Sequence, residues 1–302
     1  MRVVVIAGGT GGAKLAAGFD AVLPGGDLTV IANTADDDEF WGLLVCPDVD
    51  AVIYRLAGEF NETAGYGQKD ETFNALDALR AMGEKTWFRI GDKDLATHVL
   101  RAEMLRRGAT LTEASLELCR RFSLKSRVVP MSDDPVRTRF ITDQGTLSLQ
   151  EYFVRERLGP ALRAIDFDGL EAARLSPAAG AALHDAELVV IGPSNPLISI
   201  DPVLEVIGDR MRREVAVAVS PIVGGRALKG PTVEMMRAMD LDPSPVEVAR
   251  RYRDRCSGFV LDARDSQLRE QIEKMDYRVL ECDTVMDDGG ARLAREILGW
   301  ST

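Results

Sequence analysis

The stretch VVVIAGGTGGAK, residues 3–14, decides the fold class of this 302-residue chain. Five consecutive apolar residues without polar alternation predict a strand that is buried on both faces of a sheet. The glycine cluster after them predicts a tight turn into a helix. Similar short apolar runs, bounded by Gly, Pro or Asn, cover residues 28–32, 188–191, 215–219, 259–261 and 278–281. The sequence therefore predicts an α/β fold in which a three-layer, Rossmann-like and mostly parallel sheet lies between helices.

The middle of the chain has a helical pattern instead. Apolar residues recur there at three- and four-residue spacing, which predicts helices over 71–81, 95–107 and 113–121. We expect a single domain, residues 1–302, in which these helices form an insertion at about 70–125. A second stretch, residues 165–182, is rich in Ala, Asp and Gly and predicts a surface helix with loops.

Short motifs mark the ends of the predicted helices. Gly83 and Gly108 follow two of them and predict C-terminal caps, because glycine readily adopts the left-handed conformation. Thr110 with Glu113 predicts a capping box at the start of the third helix. Asp94 predicts the N-terminal cap of the second.

The composition excludes several classes of protein. Hydrophobic residues make up 46% and charged residues 28% of the chain, as in soluble globular proteins. The apolar runs are shorter than the roughly 20 residues of a membrane-spanning helix. The net charge of −11 repels nucleic acid, and the four cysteines are too widely spaced for a metal-binding motif. We therefore expect a cytoplasmic protein that binds neither nucleic acid nor a membrane.

The glycine cluster after the first strand is the first candidate site. Backbone N–H groups at a helix N-terminus bind phosphate oxygens, and glycine lets the ligand approach them closely. The cluster lacks the third glycine of the dinucleotide fingerprint and the Gly-Lys-Ser/Thr of the Walker motif. It therefore favours a phosphorylated ligand other than NAD, with a plain strand-to-helix turn as the alternative. The candidate nucleotide-binding residues here are Gly8, Gly9, Thr10, Gly11, Gly12 and Lys14.

A cluster of acidic side chains follows the second predicted strand. Its members are Asp36, Asp37, Asp38, Glu39, Asp48 and Asp50. Ligands of open α/β sheets bind beyond the carboxyl ends of the strands, so we expect these acids to face the same crevice as the glycine cluster. A divalent cation such as Mg²⁺ would relieve the repulsion between them. The alternative is a solvated acidic loop with helix caps.

The segment FRIGDKDLATH, residues 88–98, supplies cations. Arg89 and Lys93 can contact a phosphate or a polarised ring carbonyl, or they can form a salt-bridged loop. His98 is one of only two histidines, and a packing role is favoured over a catalytic one.

A second polar loop, GPSNP at residues 192–196, follows a later strand. Its glycine and two prolines predict a stiff turn. The hydroxyl of Ser194 and the amide of Asn195 can bond a base or a phosphate, with an ordinary turn as the alternative.

In their order and spacing, these motifs resemble the 2-phospho-L-lactate transferases of coenzyme F-420 biosynthesis. Each motif is weak alone, but the set is specific and extends over nearly the whole chain. The matching stretches are GGTGGAK (8–14), ANTADD (32–37), CPDVD (46–50), GDKDLATH (91–98), PMSDDPVRT (130–138), GPSNP (192–196) and SPIVGG (220–225).

The resemblance implies a transferase that moves a phosphorylated three-carbon acid from a guanylyl diphosphate donor. The transferred unit would be 2-phospholactate, phosphoenolpyruvate or phosphoglycerate. The acceptor would be the deazaflavin 7,8-didemethyl-8-hydroxy-5-deazariboflavin, and GMP would be released. Mg²⁺ is the expected cofactor, and we expect a homodimer because closed dimers are the commonest oligomers.

The resemblance also implies roles for particular residues. Asp50 and Arg89 would contact the deazaflavin, and Asp50 is the candidate catalytic residue that orients or deprotonates its hydroxyl. Asp36 and Asp37 are the candidate metal ligands. The residues that would hold the guanosine nucleotide are the glycine cluster together with Ser194, Asn195 and Pro196.

Two other functions remain open from the sequence. A related family of sheet proteins shares the opening glycine loop and binds nucleotide-sugars in a regulatory role, but the motifs at 46–50 and 91–98 argue against it. An NAD-dependent oxidoreductase would have an acidic residue at the end of the second strand, where this chain has Asn33. We rank the oxidoreductase last.

Overall fold

The predicted apolar runs form strands that are buried from both sides. The computed structural model describes residues 1–227 and 230–301. In chain order the strands are β1 (Val3–Ala7), β2 (Leu28–Ala32), β3 (Asp38–Phe40), β4 (Leu43–Val45), β5 (Arg127–Pro130), β6 (Arg137–Thr142), β7 (Gly145–Ser148), β8 (Leu162–Asp168), β9 (Leu188–Ile191), β10 (Ala216–Val219), β11 (Ile222–Val223), β12 (Arg226–Ala227), β13 (Gly258–Asp262) and β14 (Arg278–Cys282). All five residues of β1 are buried, as an unbroken apolar run predicts.

Within the described residues, seven of these strands form one parallel sheet in the order β14–β13–β10–β9–β1–β2–β5. In β1, Val3 lies opposite Leu28 of β2 and Leu188 of β9. The predicted Rossmann-like parallel sheet is therefore confirmed. The predicted runs match β1, β2 and β9 without offset, and the others differ by one residue at one or both ends.

The structure also contains strands that the sequence does not predict. The edge strand β5 begins at an exposed Arg127 and ends at Pro130, so its apolar run is short. The strands β6, β7 and β8 form a separate antiparallel sheet. The prediction of a surface helix with loops over 165–182 was wrong for its first part, because β8 continues to Asp168. Exposed charged side chains interrupt the apolar pattern of this strand.

Helices cover both faces of the parallel sheet. In chain order they are α1 (Gly9–Val22), α2 (Pro47–Leu56), α3 (Asn74–Ala81), α4 (Asp92–Arg106), α5 (Leu111–Arg121), α6 (Pro177–Asp185), α7 (Asp201–Ile207), α8 (Thr232–Ala238), α9 (Pro245–Tyr252), α10 (Arg269–Glu273) and α11 (Ala291–Ser301). Val3 and Val5 of β1 belong to the core beneath α1, α2, α5 and α11. Val4 and Ile6 belong to the core on the opposite face, with α6, α7 and α9. The sheet is thus the middle of three layers.

The helices α3, α4 and α5 occupy the segment in which a helical insertion is predicted. Thr110 and Glu113 form the reciprocal hydrogen bonds of the predicted capping box at the start of α5. Gly83 and Gly108 have φ angles of 92° and 93°, as glycine caps require. No helix in the described part of the chain has the length and apolar character that a bilayer crossing requires.

The prediction that Asp94 caps α4 was wrong. The helix begins at Asp92, three residues before the predicted start, with Gly91 as its N-terminal cap. The carboxylate of Asp92 accepts hydrogen bonds from Asn74 N and Ala75 N, so it satisfies the first turn of α3. Asp94 lies inside the first turn of α4, where its carboxylate is bound by tertiary contacts.

Candidate functional site

The candidate site lies where β1, β2 and β9 end at the same edge of the sheet. The glycine cluster follows β1 directly, with Gly8 as the N-terminal cap of α1 and its other members in the first turns of that helix. The loop after β2 contains Asn33 and the first acids. The loop after β9 contains Ser194. At this edge α2 also begins, with Asp48 and Asp50 in its first turn, where a helix N-terminus stabilises negative charge. The parallel topology therefore brings the predicted segments together.

The glycine cluster packs against the loop after β9 at distances that exclude side chains. A Cβ atom on Gly11 would lie 2.2 Å from the Pro193 carbonyl oxygen, and one on Gly12 would lie 2.5 Å from Ser194 Oγ. Gly9 has a φ of 58°, which disfavours residues other than glycine. Part of the glycine pattern thus reflects the contact between the first turn of α1 and the loop after β9.

Polar side chains of the loop after β9 hold the same contact. The Ser194 hydroxyl accepts a hydrogen bond from Gly8 N at 3.2 Å and donates one to the Gly8 carbonyl oxygen. The Asn195 side-chain oxygen accepts a hydrogen bond from Leu197 N at 3.0 Å. Both side chains therefore fix the shape of the loop.

Asp36 and Asp48 form a buried carboxyl pair beside the glycine cluster. Asp48 accepts hydrogen bonds from Gly9 N and, at 3.0 Å, from Asn33 Nδ2. Asp36 accepts one from Thr138 Oγ1 at 3.1 Å. Burial and the adjacent Asp48 raise the pKa of Asp36 well above its ordinary value, and burial raises the pKa of Asp48 to about 6. The pair therefore holds a proton at pH values where isolated carboxyl groups are ionised.

Asp37 lies in a different environment, although it follows Asp36 directly. Burial raises the pKa of Asp37 to about 8, while a hydrogen bond with Cys46 and the charge of Arg137 act in the opposite direction. One of its oxygens has no hydrogen-bond partner among residues 1–227 and 230–301. The two candidate metal ligands are therefore not equivalent: Asp36 pairs with Asp48, and Asp37 does not.

Two cavities open at this edge of the sheet. The first, which we call the aromatic cavity, has the rings of Tyr54, Tyr66, Trp87 and Phe88 on its walls. Its polar lining residues include Thr10, Asp48, Asp50, Arg89, Asp94, His98 and Gln150. A lining of aromatic side chains with a few polar groups suits a ligand that is mostly apolar and partly polar.

The second cavity, which we call the glycine-loop cavity, is bordered by the loops after β1 and β9. Its lining includes Gly8, Gly11, Asp36, Pro193, Ser194 and Asn195. Gly9, Thr10 and Asp48 line both cavities. The two cavities therefore adjoin each other.

A buried charge network forms one wall of the aromatic cavity. Asp50 Oδ2 accepts a hydrogen bond from Arg101 Nη1 at 3.1 Å, and Asp50 Oδ1 accepts one from Arg101 Nη2. The His98 ring lies between two carboxylates, with Nδ1 3.7 Å from Asp50 Oδ2 and Nε2 3.4 Å from Asp94 Oδ1. Tyr54 donates a hydrogen bond to the same Asp94 oxygen at 2.7 Å.

The charges in this network stabilise one another. Burial disfavours the ionised form of Asp94, but the hydrogen bond and charge of His98 outweigh it, so the pKa of Asp94 is lowered. Burial also disfavours a charged Arg101, but the charge of Asp50 outweighs it and raises the pKa of Arg101. The guanidinium therefore stays charged inside the protein.

The carboxyl groups differ in their suitability for a metal ion. Asp50, Asp94 and His98 place ligand atoms within 4.8 Å of one another. Both Asp50 oxygens, however, already accept hydrogen bonds from the Arg101 cation, which competes with a metal. The Asp36–Asp48 pair fits Mg²⁺ better, because Mg²⁺ takes one or two carboxylates and keeps its other positions for water and phosphate.

The predicted site residues divide into two groups. Those that line a cavity are Gly8, Gly9, Thr10, Gly11, Asp36, Asp50, Arg89, Ser194 and Asn195. Of the predicted residues that the structure describes, Gly12, Lys14, Pro196 and Asp37 line neither cavity. The guanidinium carbon of Arg89 lies 4.4 Å from the centre of the Phe73 ring, which helps to position it at the aromatic cavity.

The sequence does not single out Asp48 as a metal ligand and gives no role to Arg101. Asp48 belongs to the acidic cluster, but only the structure shows that it lines both cavities. Arg101 follows Asp94 and His98 at intervals of seven and three residues, which places all three on one face of α4. That spacing is the signal that identifies Arg101.

The fold and the site together define a Rossmann-like α/β protein with two adjoining cavities at the carboxyl ends of its strands. The model of the family described as 2-phospho-L-lactate transferase CofD matches residues 3–297. The chain therefore belongs to the 2-phospho-L-lactate transferase family, and the resemblance seen in its motifs is confirmed.

Named relatives agree with this assignment. A 2-phospho-L-lactate transferase of Methanopyrus kandleri is 39% identical, over 99% of this chain and 97% of the relative. The 2-phospho-L-lactate transferase of Methanosarcina barkeri is 36% identical, over 94% of this chain and 93% of the relative. A phosphoenolpyruvate transferase of Streptomyces griseus is 37% identical, over 99% of this chain and 98% of the relative. The protein is therefore a transferase, which favours the enzyme over the regulatory alternative.

A solved structure supports the fold assignment alone. A crystal structure of a UPF0052-family protein from Bacillus halodurans superposes with a TM-score of 0.60 at 16% sequence identity, and the match covers 98% of both chains. At this identity the similarity concerns the architecture and not the ligands.

Proposed function

We propose that this enzyme transfers a phosphorylated three-carbon acid from a guanylyl diphosphate donor to 7,8-didemethyl-8-hydroxy-5-deazariboflavin, in coenzyme F-420 biosynthesis. One observation carries the proposal: the two cavities meet at Gly9, Thr10 and Asp48. A transfer between two substrates requires such neighbouring sites, because the reacting atoms must come within about 3–3.5 Å.

The glycine-loop cavity is the proposed donor site. It opens at the N-terminus of α1, whose first-turn N–H groups have no partner within the helix and attract phosphate oxygens. The lining by Ser194 and Asn195 supplies further polar atoms. The guanosine diphosphate portion of the donor fits this combination of backbone donors and small polar side chains.

The Asp36–Asp48 pair is the proposed site for Mg²⁺, with Asp36 as a ligand as the sequence predicts. The two carboxyl groups are buried side by side, and each would release its proton more readily beside a cation. Bound there, Mg²⁺ would neutralise the diphosphate charge and that of the departing GMP.

The aromatic cavity is the proposed acceptor site. Tyr66, Trp87 and Phe88 line this cavity, and aromatic side chains pack favourably against planar rings such as a tricyclic deazaflavin. Arg89 provides a cation at the rim, and Asp50 provides a carboxylate on the wall. Since both oxygens of Asp50 already accept hydrogen bonds from Arg101, we assign Asp50 to orienting the acceptor hydroxyl.

The proposed reaction needs one displacement at phosphorus. The terminal ribityl hydroxyl of the acceptor attacks the phosphorus atom that bears the acid. A new phosphorus–oxygen bond forms, the bond between this phosphorus and the bridging oxygen breaks, and GMP leaves in line with the attacking oxygen. The hydroxyl proton is released to the phosphate of the departing GMP or to solvent. Such transfers depend chiefly on positioning and charge neutralisation, which the two cavities and the carboxyl pair supply.

The test is turnover with a panel of donors. The protein is incubated with Mg²⁺, the deazaflavin and a guanylyl donor that carries 2-phospholactate, phosphoenolpyruvate or phosphoglycerate, and products are identified by mass spectrometry. We expect a phosphodiester of the deazaflavin and an equal amount of GMP from at least one donor. Absence of product with all three donors, together with tight binding of a nucleotide-sugar, would favour the regulatory alternative. The homodimer remains a prediction for sedimentation analysis.

A further inference from the structure

The Asp50 carboxylate is held from inside the protein by a buried arginine. The Arg101 side chain has no solvent exposure, whereas Asp50 lines the aromatic cavity. Arg101 Nη1 also donates a hydrogen bond to the Leu44 carbonyl oxygen at 3.2 Å and lies 3.3 Å from His98 Nδ1. The guanidinium thus has several partners around the carboxylate, but it is not among the residues that line either cavity.

Stability alone is a poor reason for this arrangement. Burying two charges removes their hydration, and the attraction between them often does no more than compensate for that loss. The Nε atom of Arg101 has no hydrogen-bond partner within the described part of the chain. An apolar pair of similar volume would fill the space without this penalty, so the buried pair requires another explanation.

The geometry of the Arg101–Asp50 pair fixes the orientation of the Asp50 carboxylate. A guanidinium binds a carboxylate through two parallel hydrogen bonds, which prevents the carboxylate from rotating. Each Asp50 oxygen uses one acceptor position for Arg101 and retains another. Because Asp50 lines the aromatic cavity, we expect a ligand bound there to use such a position. Arg101 itself is anchored on α4, whereas Asp50 belongs to α2, so the pair also fixes the separation of these two helices.

We propose that Arg101 is a positioning residue that holds the Asp50 carboxylate in the orientation that receives the acceptor hydroxyl. This inference rests on the proposed function, because the acceptor is assigned to the aromatic cavity. A lysine would keep the charge but not the two parallel hydrogen bonds. Misorientation of a positioning group reduces turnover strongly even when the protein stays folded.

The test compares Arg101→Ala and Arg101→Lys with matched changes at Arg55. Arg55 is also buried, with 5% side-chain exposure, and it pairs with Glu62 and contacts the Phe60 ring. It is on α2 but is not among the residues that line the two cavities. The measured quantities are kcat and KM for each substrate, the deazaflavin Kd by calorimetry, and the melting temperature.

For Arg101→Ala we expect kcat/KM for the deazaflavin to fall roughly 100-fold, with donor KM changed less than about twofold. Added guanidinium ion should restore part of the activity, because it can occupy the vacated space and bind Asp50. Arg101→Lys should lose roughly tenfold, since it lacks the parallel hydrogen bonds. The Arg55 variants should lower the melting temperature without changing the deazaflavin parameters.

Equal deazaflavin parameters in the Arg101 and Arg55 variants would overturn the inference, as would a parallel loss of donor binding. If Arg101→Ala does not fold, Arg101→Lys decides: wild-type kcat/KM in that variant would overturn the inference. Wild-type turnover is measured first. If it is absent while deazaflavin still binds, the proposed function fails and the deazaflavin Kd of Arg101→Lys still tests the positioning role. If the wild type neither turns over nor binds deazaflavin, both are wrong.

Discussion

The Asp36–Asp48 pair should make the free protein less stable as the pH rises. The pKa of Asp48 is raised from 3.8 to about 6, so the native state binds this proton more tightly than the unfolded state does. The stabilisation that the protonated Asp48 gives the folded protein is fully present below about pH 4, and it is lost as the pH rises through 6. A pKa shift of this size lowers the free energy of unfolding by about 3 kcal/mol above pH 6, relative to its value below pH 4.

Magnesium should offset this loss in a pH-dependent way. With a pKa of about 6, Asp48 is mostly ionised at pH 7 and mostly protonated at pH 5. A cation competes with the proton for the same oxygens, so Mg²⁺ affinity should fall roughly tenfold from pH 7 to pH 5 through Asp48 alone. The stabilisation of the folded protein by a fixed concentration of Mg²⁺ should fall accordingly.

The assay is urea denaturation at pH 5 and pH 7, with Mg²⁺ or with EDTA, in the wild type and two variants. Asp48→Asn should lose the response to Mg²⁺ at both pH values. Glu39→Gln is the matched control, because Glu39 is an exposed acid of the same cluster, and it should behave like the wild type. Equal Mg²⁺ affinity at both pH values, or a wild-type response in Asp48→Asn, would refute the assignment of the cation to this pair.

Three further variants test other parts of the site. Asp50→Asn should leave Arg101 without a charged partner, so urea denaturation should show a loss of about 3–5 kcal/mol, and turnover should fall more than nucleotide affinity; unchanged turnover would remove Asp50 from the site. Arg89→Ala should weaken deazaflavin binding measured by calorimetry while donor binding is retained, and wild-type deazaflavin affinity would contradict its assignment. Gly11→Ala should lower stability by about 1–3 kcal/mol, because its Cβ would meet the Pro193 carbonyl oxygen; wild-type stability would show that α1 and the loop after β9 do not touch as described.

The parallel sheet was predictable because its strands are buried from both sides. Unbroken apolar runs such as VVVIA, residues 3–7, leave few alternatives, and the segments after successive strands must then meet at one edge. The strand β5 was not predictable in this way, since an edge position tolerates Arg127 and Pro130. The strand β8 belongs to a small antiparallel sheet whose outer side is charged, so its pattern is weak.

The site was predictable at the level of segments but not of pairings. Asp36 and Asp37 are adjacent in sequence and equivalent as candidate ligands, and only the fold shows that Asp36 pairs with Asp48. Asp94 has the residue type of a helix cap, but its carboxylate instead accepts the Tyr54 hydroxyl, a contact between residues 40 positions apart. Such long-range pairings depend on how the helices pack, and local sequence patterns do not predict that packing.

The most direct test of the account is a crystal structure of the protein with GDP, Mg²⁺ and the deazaflavin. We predict that the diphosphate lies at the N-terminus of α1 in the glycine-loop cavity, the cation between Asp36 and Asp48, and the tricyclic ring in the aromatic cavity within reach of Asp50. The ribityl hydroxyl should point toward the β-phosphate across Gly9 and Thr10. A nucleotide bound away from the glycine cluster, or a ring outside the aromatic cavity, would contradict the account.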